Sequence, residues 1–282
     1  MKGSKKLLRN ILKMSNHKYE IPIEWLCCPI TKEKLFLNEG ALHSSKRIYQ
    51  KNIIHNYWSF FPQDTNFLNT AIGKAWQTLQ NNGQISYKFS PAENLGVGKR
   101  LDFFAFAEFC TFHGNILDVG VGPQKLPTHI QYCKKKEVFF VGIDPLKGVQ
   151  KRSFPFVHGL AEFLPFNNNL FDQVLFVTSL DHFLDPNLAF TEAKRVLKDR
   201  GELCIWFGEK DKNAPMIKKT HEWYENLTIP EGAIDKFHLI GLTKSIFLDY
   251  VYAHHLKIVD FHVQNVDHWR KNSFYKLAKD VR

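Results

Sequence analysis

The central part of the chain alternates short apolar runs with amphipathic segments. Mostly apolar runs of four to seven residues occur at 114–119, 138–144, 156–159, 171–177 and 202–207. Runs of this kind are typical of buried parallel strands when helical segments separate them. A helical period at 186–197 fills one of the gaps and ends at Asp199-Arg200-Gly201. The alternation predicts an α/β fold with a doubly wound, mostly parallel sheet.

The flanking segments complete this prediction. Helical periodicity predicts helices over 67–80, ended by Asn81-Asn82-Gly83, and over 101–112, whose phenylalanines should pack flat on the sheet. Residues 208–240 do not continue the alternation of strand-like and helical segments, and they contain Pro215 and Pro230. This predicts an insertion over the carboxyl edge of the sheet, where substrate loops lie. Apolar segments at 256–263 and 273–277 predict an antiparallel pair that closes a seven-stranded sheet.

The N-terminal part has a different pattern. Residues 5–13 place leucines and an isoleucine at helical spacing among basic residues, which predicts a short amphipathic helix. Residues 25–35 then read Trp-Leu-Cys-Cys-Pro-Ile-Thr-Lys-Glu-Lys-Leu, followed by a possible hairpin through Leu42 and Ile48-Tyr49. This part resembles the small zinc-ribbon-like module of the Trm112 type.

The zinc ligands of such a module are missing. A structural zinc site needs four thiolate or imidazole ligands, but Thr31 stands where a second cysteine is expected and no second pair follows. Cys28 with His43 or His55 would give only a partial site. We predict a degenerate module without metal at 1–65, held by packing of its aromatic residues. The main domain should span 66–282, with covering helices at 66–112 and the insertion at 208–250.

Composition narrows the class of protein. The 282 residues are 44% hydrophobic, and no apolar run approaches the roughly 18 residues of a membrane span. Five cysteines, an odd number, argue against a disulfide framework and favour a cytoplasmic protein. The formal charge of +10 would suit RNA or another acidic partner. Since the lysines are scattered, a solvated basic surface is the favoured interpretation and RNA stays open.

The first predicted strand breaks into a turn that suits a polar cofactor. Gly120 and Gly122 follow the apolar run, and Asp144 ends the next run. A dinucleotide-binding turn would need a third glycine at the position of Lys125, so this pattern disfavours a pyrophosphate. A carboxylate at the end of the second strand can accept hydrogen bonds from both hydroxyl groups of a ribose.

Five motifs in this order resemble the class I methyltransferases that use S-adenosylmethionine (SAM). They are the D-x-G-x-G turn at 118–122, Gly142-Ile143-Asp144, the A-E-x-L-P-F segment at 161–166, Phe171-Asp172, and Arg195-Val196-Leu197-Lys198 before Gly201. The resemblance covers about residues 114–207. It implies a Rossmann-like methyltransferase sheet, SAM as the cofactor, and methyl transfer as the activity.

The resemblance also implies roles for individual residues. Gly120 and Gly122 would admit the methionine part of SAM, Asp118 would orient its amino end, and Asp144 would hold the ribose. The remaining cofactor contacts would come from Pro145 and Leu146 beside the adenine, the backbone of Ala161 and Glu162 at its edge, and Thr178 towards the sulfonium. Two residues depart from the family pattern: Gln124 replaces a third glycine, and Leu160 replaces an adenine-binding aspartate.

The acceptor side is expected after the fourth strand. Methyl transfer is an in-line displacement, so the protein has to align the acceptor and remove its proton. His182 is a candidate base, with Asp181 orienting nearby groups, although His182 could equally cap its own loop. His221, Tyr224 and His238, in or near the insertion, are weaker candidates. We expect a small-molecule or sugar-like acceptor methylated on oxygen or nitrogen. The alternatives are a ribosomal or transfer RNA base, and a catalytically silent scaffold.

Overall fold

The computed structural model describes residues 20–62, 66–91, 101–133, 137–148, 151–215 and 221–280. The amphipathic helix predicted at 5–13 lies outside these ranges. Within them, no helix is both long and apolar enough to cross a membrane.

The described strands and helices follow the predicted order. The strands are β1 (Phe36–Asn38), β2 (Ala41–His43), β3 (Ile48–Tyr49), β4 (Lys51–Asn52), β5 (Tyr57–Ser59), β6 (Gly114–Val119), β7 (Val138–Asp144), β8 (Phe156–His158), β9 (Phe171–Val177), β10 (Leu197–Lys210), β11 (Leu256–Asn265) and β12 (Arg270–Lys279). The α-helices are α1 (Ala71–Phe89), α2 (Leu101–Cys110), α3 (Thr128–Gln131), α4 (Pro186–Val196), α5 (Glu222–Glu225) and α6 (Lys244–Ala253).

The large sheet has the order β11-β12-β10-β9-β6-β7-β8-β5-β4. Strand β6 pairs in parallel with β7 and β9, and β10 pairs in parallel with β9. Strand β12 is antiparallel to both β10 and β11. The seven strands from β6 to β12 therefore confirm the predicted doubly wound, mostly parallel sheet with an antiparallel closing pair. The order reverses beside β6, where such sheets bind ligands at the carboxyl ends of their strands.

The N-terminal segment extends this sheet by two strands. Strand β5 pairs in parallel with β8, where Trp58 lies opposite Val157, and β4 is antiparallel to β5. Strands β1 to β3 form a separate small sheet, and the expected hairpin places Leu42 opposite Tyr49. Leu42 and Trp58 are buried in the same apolar core as the central strands. The zinc-ribbon likeness of this segment stays a prediction.

Helix α1 is longer than predicted. The sequence predicted an end at Asn81-Asn82-Gly83, but the helix continues to Phe89. Asn82 is buried, and its side-chain amide donates to the carbonyl oxygens of Thr228 and Lys236 in the insertion. Because these tertiary acceptors occupy the amide, it does not compete for the backbone of the helix. The predicted helix end was therefore wrong.

Helices α2 and α4 agree with the prediction, whereas α5 and most of α6 lie in the segment that was predicted only as an insertion. Helix α2 packs on the sheet through Phe106, which contacts Trp206 and Phe274 at ring distances of 5.5 and 5.4 Å. Helix α4 begins at Pro186, and the carboxylate of Asp185 caps it by accepting from the amides of Asn187 and Leu188. These helices cover the two faces of the sheet and leave its carboxyl edge open for a site.

Candidate functional site

A cleft lies at the carboxyl ends of β6, β7 and β9. It encloses about 930 Å³, including the part that is open to solvent. Its floor comes from the strand ends and the turns after them, and its roof comes from α1 and the insertion. The lining residues are Trp76, Leu79, Gln80, Gly83, Tyr87, Phe103, Asp118, Gly120, Val121, Gly122, Gln124, His129, Asp144, Pro145, Leu146, Leu160, Ala161, Glu162, Val177, Thr178, Ser179, His182, Phe183 and Phe237.

The cleft brings together the residues singled out in the sequence. All the residues expected to contact the cofactor line it, namely Asp118, Gly120, Gly122, Asp144, Pro145, Leu146, Ala161, Glu162 and Thr178. The candidate base His182 lines it as well, and Asp181 is next to that histidine. Their individual roles stay predictions, but one cavity can serve them all.

The end of β6 presents a buried carboxylate. Asp118 is fully buried, and its Oδ2 lies 2.9 Å from the Nε2 of His129, which is also buried. The second carboxylate oxygen, Oδ1, has no hydrogen-bond partner among the described residues. An unpaired buried polar atom is costly unless a ligand or water satisfies it. Asp118 can therefore accept a hydrogen bond from a cationic or amino group in the cleft.

The turn after β6 needs glycine at its first position. Gly120 has φ +80°, and a Cβ there would lie 2.5 Å from the Cβ of Ser179. Gly122 has φ +76°, also a conformation that L side chains rarely adopt. Apart from its chain neighbours, the nearest described atom to a Cβ at Gly122 would be the Nε2 of Gln124, at 3.9 Å. The side chain that departs from the family pattern thus lies beside the turn.

Asp144 at the end of β7 is tied to both neighbouring loops. Its Oδ2 accepts from the amide of Gly122 and its Oδ1 accepts from the amide of Leu146, both at 2.7 Å. Burial raises the pKa of this carboxyl group to about 6, although the two amides and Arg152 act in the opposite direction. Each oxygen keeps a lone pair for a further donor. The carboxylate is thus held in place for a diol.

Arg152 is a contributor that the sequence analysis missed. Its guanidinium group is buried and donates to the carbonyl oxygens of Gly122, Leu146 and Lys147. The same group lies 3.5 Å from the centre of the Phe156 ring. It therefore joins the turns after β6 and β7. No motif marks this arginine, because its partners are backbone atoms.

The wall beyond Asp144 is apolar. Pro145, Leu146, Leu160 and Ala161 line it, and Leu160 packs against Trp76 and Leu79 of α1. The side chain of Glu162 is engaged elsewhere, since its Oε1 accepts from the amides of Leu184 and Asp185. Leu160 offers only apolar contact where the family often has a carboxylate. A flat heterocycle would meet a hydrophobic surface here.

Helix α1 covers the cleft and is anchored to the acceptor loop. The indole Nε1 of Trp76 donates to the carbonyl oxygen of His182 at 2.8 Å. Tyr87 lines the same cavity, and burial, together with the charges of Asp144 and Asp181, raises the pKa of its phenol. The phenol therefore stays neutral and can donate a hydrogen bond. Trp76, Leu79, Gly83 and Tyr87 share one helical face, which periodicity alone could not distinguish from a core-facing stripe.

The loop after β9 and the insertion meet at the other end of the cleft. The rings of His182 and His238 stack with centroids 4.6 Å apart. The Nδ1 of His182 lies 3.2 Å from the carbonyl oxygen of Phe237. Burial lowers the pKa of His182. Burial also acts to lower that of His238, but Asp235 and Asp181 reverse this effect and the pKa is raised.

The insertion thus supplies side chains that the sequence analysis treated as weak catalytic candidates or did not consider. His238 was a weak candidate because nothing in the sequence connected it to His182, and Phe237 and Asp235 were not considered. Their approach depends on the fold of 221–243 over α1. The combined site has two buried carboxylates at one end and a histidine pair at the other, with an apolar wall between them.

Comparisons with known proteins concern the domain and the fold that carry this site. Residues 117–205 match the model of a protein family described as a methyltransferase domain. Uncharacterized methyltransferases of Mycobacterium tuberculosis and Mycobacterium bovis are 29% identical over 113 residues, a stretch that covers 38% of this chain. The match spans only 45% of those relatives. The similarity to these relatives therefore concerns less than half of this chain.

A solved structure extends the similarity of the fold. The 1,6-didemethyltoxoflavin-N1-methyltransferase of Burkholderia thailandensis, solved with 1,6-didemethyltoxoflavin and S-adenosylhomocysteine, has a TM-score of 0.54 with this chain at 13% identity. The similarity covers 84% of this chain and 97% of that protein. At this identity the similarity supports the fold alone and leaves the substrate to be inferred from the site.

Proposed function

We propose that this chain, which carries a class I methyltransferase domain with SAM as its cofactor, transfers a methyl group to an oxygen or nitrogen atom of a small-molecule or sugar-like acceptor. One observation carries the proposal. The buried Oδ1 of Asp118 has no partner among the residues that the structure describes, while the neighbouring strand ends in Asp144 within the same cleft. Acceptors at these two positions match the amino group and the ribose hydroxyls of SAM.

The remaining walls fit the rest of the cofactor. Gly120 and Gly122 leave room for the methionine part beside the turn, and Pro145, Leu146, Leu160 and Ala161 offer apolar contact to the adenine. Backbone groups of Ala161 and Glu162 would meet the adenine edge, and Thr178 would border the passage to the acceptor. When bound, SAM supplies an electrophilic methyl group on a sulfonium.

The residues of the chain would act on the acceptor. His182 and Asp181 lie where the fourth strand of this fold presents groups to the substrate. The Nδ1 of His182 faces a carbonyl oxygen, which can only accept, so Nδ1 carries the hydrogen and Nε2 has a free lone pair. The Nε2 atom could take the proton that an acceptor hydroxyl or amine loses on methylation. Asp181 would orient the acceptor or the imidazole.

The roof of the cleft favours a small acceptor. Helix α1 and Phe237 narrow the opening, and aromatic side chains line it at Trp76, Tyr87, Phe103 and Phe183. Among the described residues that line the cavity, the charged types are Asp118, Asp144 and Glu162, with no lysine or arginine. An RNA base is the second candidate because of the formal charge of +10. An RNA base that is flipped out of its helix would also have to enter the cleft past α1 and Phe237.

Calorimetric titration with SAM tests the cofactor site. Asp144→Ala should weaken binding about 10- to 100-fold, because loss of this charged hydrogen-bond acceptor should cost about 1.5–3 kcal/mol in total. Asp249→Ala, which changes an exposed carboxylate on α6, should bind SAM as the wild type does. Equal affinity in Asp144→Ala would remove the ribose assignment. A wild type that does not bind SAM would favour the catalytically silent scaffold.

Transfer of labelled methyl groups from SAM tests the acceptor class. Incubation with a metabolite extract and, separately, with ribosomal and transfer RNA should label the small-molecule fraction. His182→Gln should bind SAM normally but transfer about 100- to 10,000-fold more slowly if His182 handles the proton. Labelling of RNA alone, with steep salt dependence, would contradict the small-molecule assignment.

A further inference from the structure

Three potential metal ligands meet at the acceptor end of the cleft. The Nε2 of His182 lies 4.0 Å from Asp181 Oδ1, and the Nε2 of His238 lies 3.6 Å from Asp181 Oδ2. One ligand atom from each of the three residues lies within 4.8 Å of the others. We propose that Asp181, His182 and His238 bind a divalent transition-metal cation of the zinc type.

The outer hydrogen bonds of both histidines orient them for a metal. The Nδ1 of His182 faces the carbonyl oxygen of Phe237, and the Nδ1 of His238 lies 2.8 Å from Asp235 Oδ2. Carbonyl and carboxylate oxygens accept, so each Nδ1 must donate. Both Nε2 atoms then keep a lone pair for the cation. Metal-binding histidines almost always have such a partner on the second ring nitrogen.

The spacing is close to that of a bound cation. Bonds of about 2.1 Å in a tetrahedral site place ligand atoms about 3.4 Å apart. The distance from His238 to Asp181 exceeds this by about 0.2 Å and the distance from His182 to Asp181 by about 0.6 Å, each measured to a different oxygen of the carboxylate, and one ligand atom from each of the three residues lies within 4.8 Å of the others. All three side chains are partly exposed, at 25–38%. Small rotations that splay the two stacked rings would therefore bring the three atoms to bonding distance.

Charge and ligand type favour a transition metal. Two imidazoles and one carboxylate suit zinc, iron, cobalt or nickel better than magnesium or calcium, which prefer oxygen. Asp235 adds a second negative charge beside His238. Asp181 and Asp235, whose carboxylate oxygens lie 3.6 and 2.8 Å from ring nitrogens of His238, place two negative charges where a divalent cation would bind. Three protein ligands also leave a coordination position open.

The position of the cluster gives the cation a role, which rests on the proposed function. His182 lines the cleft, so an open coordination position would face the acceptor. A cation there would lower the pKa of an acceptor hydroxyl group. His182 would then be a ligand in place of the base role given to it above, and the acceptor hydroxyl group would lose its proton to water in the cleft, which is partly open to solvent. The prediction of no metal from the sequence rested on the N-terminal cysteines, whereas this cluster joins a strand-end loop to the insertion.

Cobalt(II) provides a direct test of binding in the full chain. Protein treated with a chelator and dialysed should bind one Co²⁺ per chain with the visible absorption of a nitrogen- and oxygen-ligated site, and Zn²⁺ should displace it. His238→Gln and Asp181→Asn should lose this absorption. Asp235→Asn, which alters only the outer partner, should weaken binding about 10- to 100-fold. His268→Gln, an exposed histidine outside the cluster, should behave as the wild type.

The outcomes separate this proposal from the proposed function. Folding of each variant is checked by circular dichroism, and SAM is titrated into the same samples. Absence of the cobalt absorption in wild type, or its persistence in both His238→Gln and Asp181→Asn, would overturn the cation site even if SAM binds. Cobalt absorption that is present in the wild type and lost in His238→Gln and Asp181→Asn would support the cation site. This would hold even if SAM does not bind and the proposed function is wrong.

Discussion

The Nε2 of His129 lies 2.9 Å from Asp118 Oδ2, and both side chains are buried beneath the glycine turn. The Nδ1 of His129 and the Oδ1 of Asp118 have no partner among the described residues. The pair therefore holds the carboxylate by one oxygen and leaves the other for a ligand. Under the proposed function, His129 would position the carboxylate of Asp118 for the cofactor.

Replacing His129 should destabilise the free protein. His129→Phe leaves the buried carboxylate of Asp118 without a protein partner, and loss of a hydrogen bond to a charged group costs about 1.5–3 kcal/mol. Urea unfolding should show this loss in the free energy of unfolding, and saturating SAM should recover part of it. A free energy equal to that of the wild type, with and without SAM, would contradict the role of the pair.

Asp144 should make the stability of the free protein depend on pH. Because its folded pKa of about 6 exceeds the ordinary value of 3.8, its contribution is fully present below pH 3.8 and is lost as the pH rises to about 6. The difference corresponds to about 3 kcal/mol at about 1.36 kcal/mol per pH unit. Between pH 4 and 6 the free energy of unfolding of the wild type should therefore fall relative to that of Asp144→Asn. Above pH 6 the difference between the two proteins should stay constant. A difference between the two that does not change with pH would refute this.

Arg152 should be needed for both loops of the cofactor site. Arg152→Lys keeps the charge but cannot donate simultaneously to three carbonyl oxygens. We expect a loss of about 1–3 kcal/mol in the free energy of unfolding and about tenfold weaker SAM binding, because buried carbonyl oxygens lose their donor. Thermal unfolding and calorimetry measure the two effects. Lys244→Met, on the surface of α6, is the control that should change neither.

The N-terminal segment should unfold together with the main sheet. Phe60 is fully buried, its amide donates to the carbonyl oxygen of His158, and its ring belongs to the shared core. Phe60→Ala should cost about 3–5 kcal/mol and lower the midpoint of a single transition. Two separate transitions, with only the first one shifted, would indicate an independent module at 1–65.

Several features could be predicted because they depend on local order in the chain. The apolar runs at 114–119, 138–144 and 171–177 are long enough to indicate buried strands, and strand ends in a parallel sheet converge on one edge. This topology explains why Asp118, Asp144 and Thr178 lie at one cleft. Helix α1 was misjudged at Asn82, because the acceptors of its amide come from residues more than a hundred positions away.

The sequence by itself determined the order of strands and helices, the glycine turn and the carboxylates at the ends of β6 and β7, since these depend on periodicity and on residues close together in the chain. Only the tertiary structure decided that Arg152 joins the two turns, that β5 pairs with β8, and that His238 stacks on His182. These relationships rest on backbone acceptors, strand edges and an insertion with no regular period, so their partners are set by the packing of the folded chain.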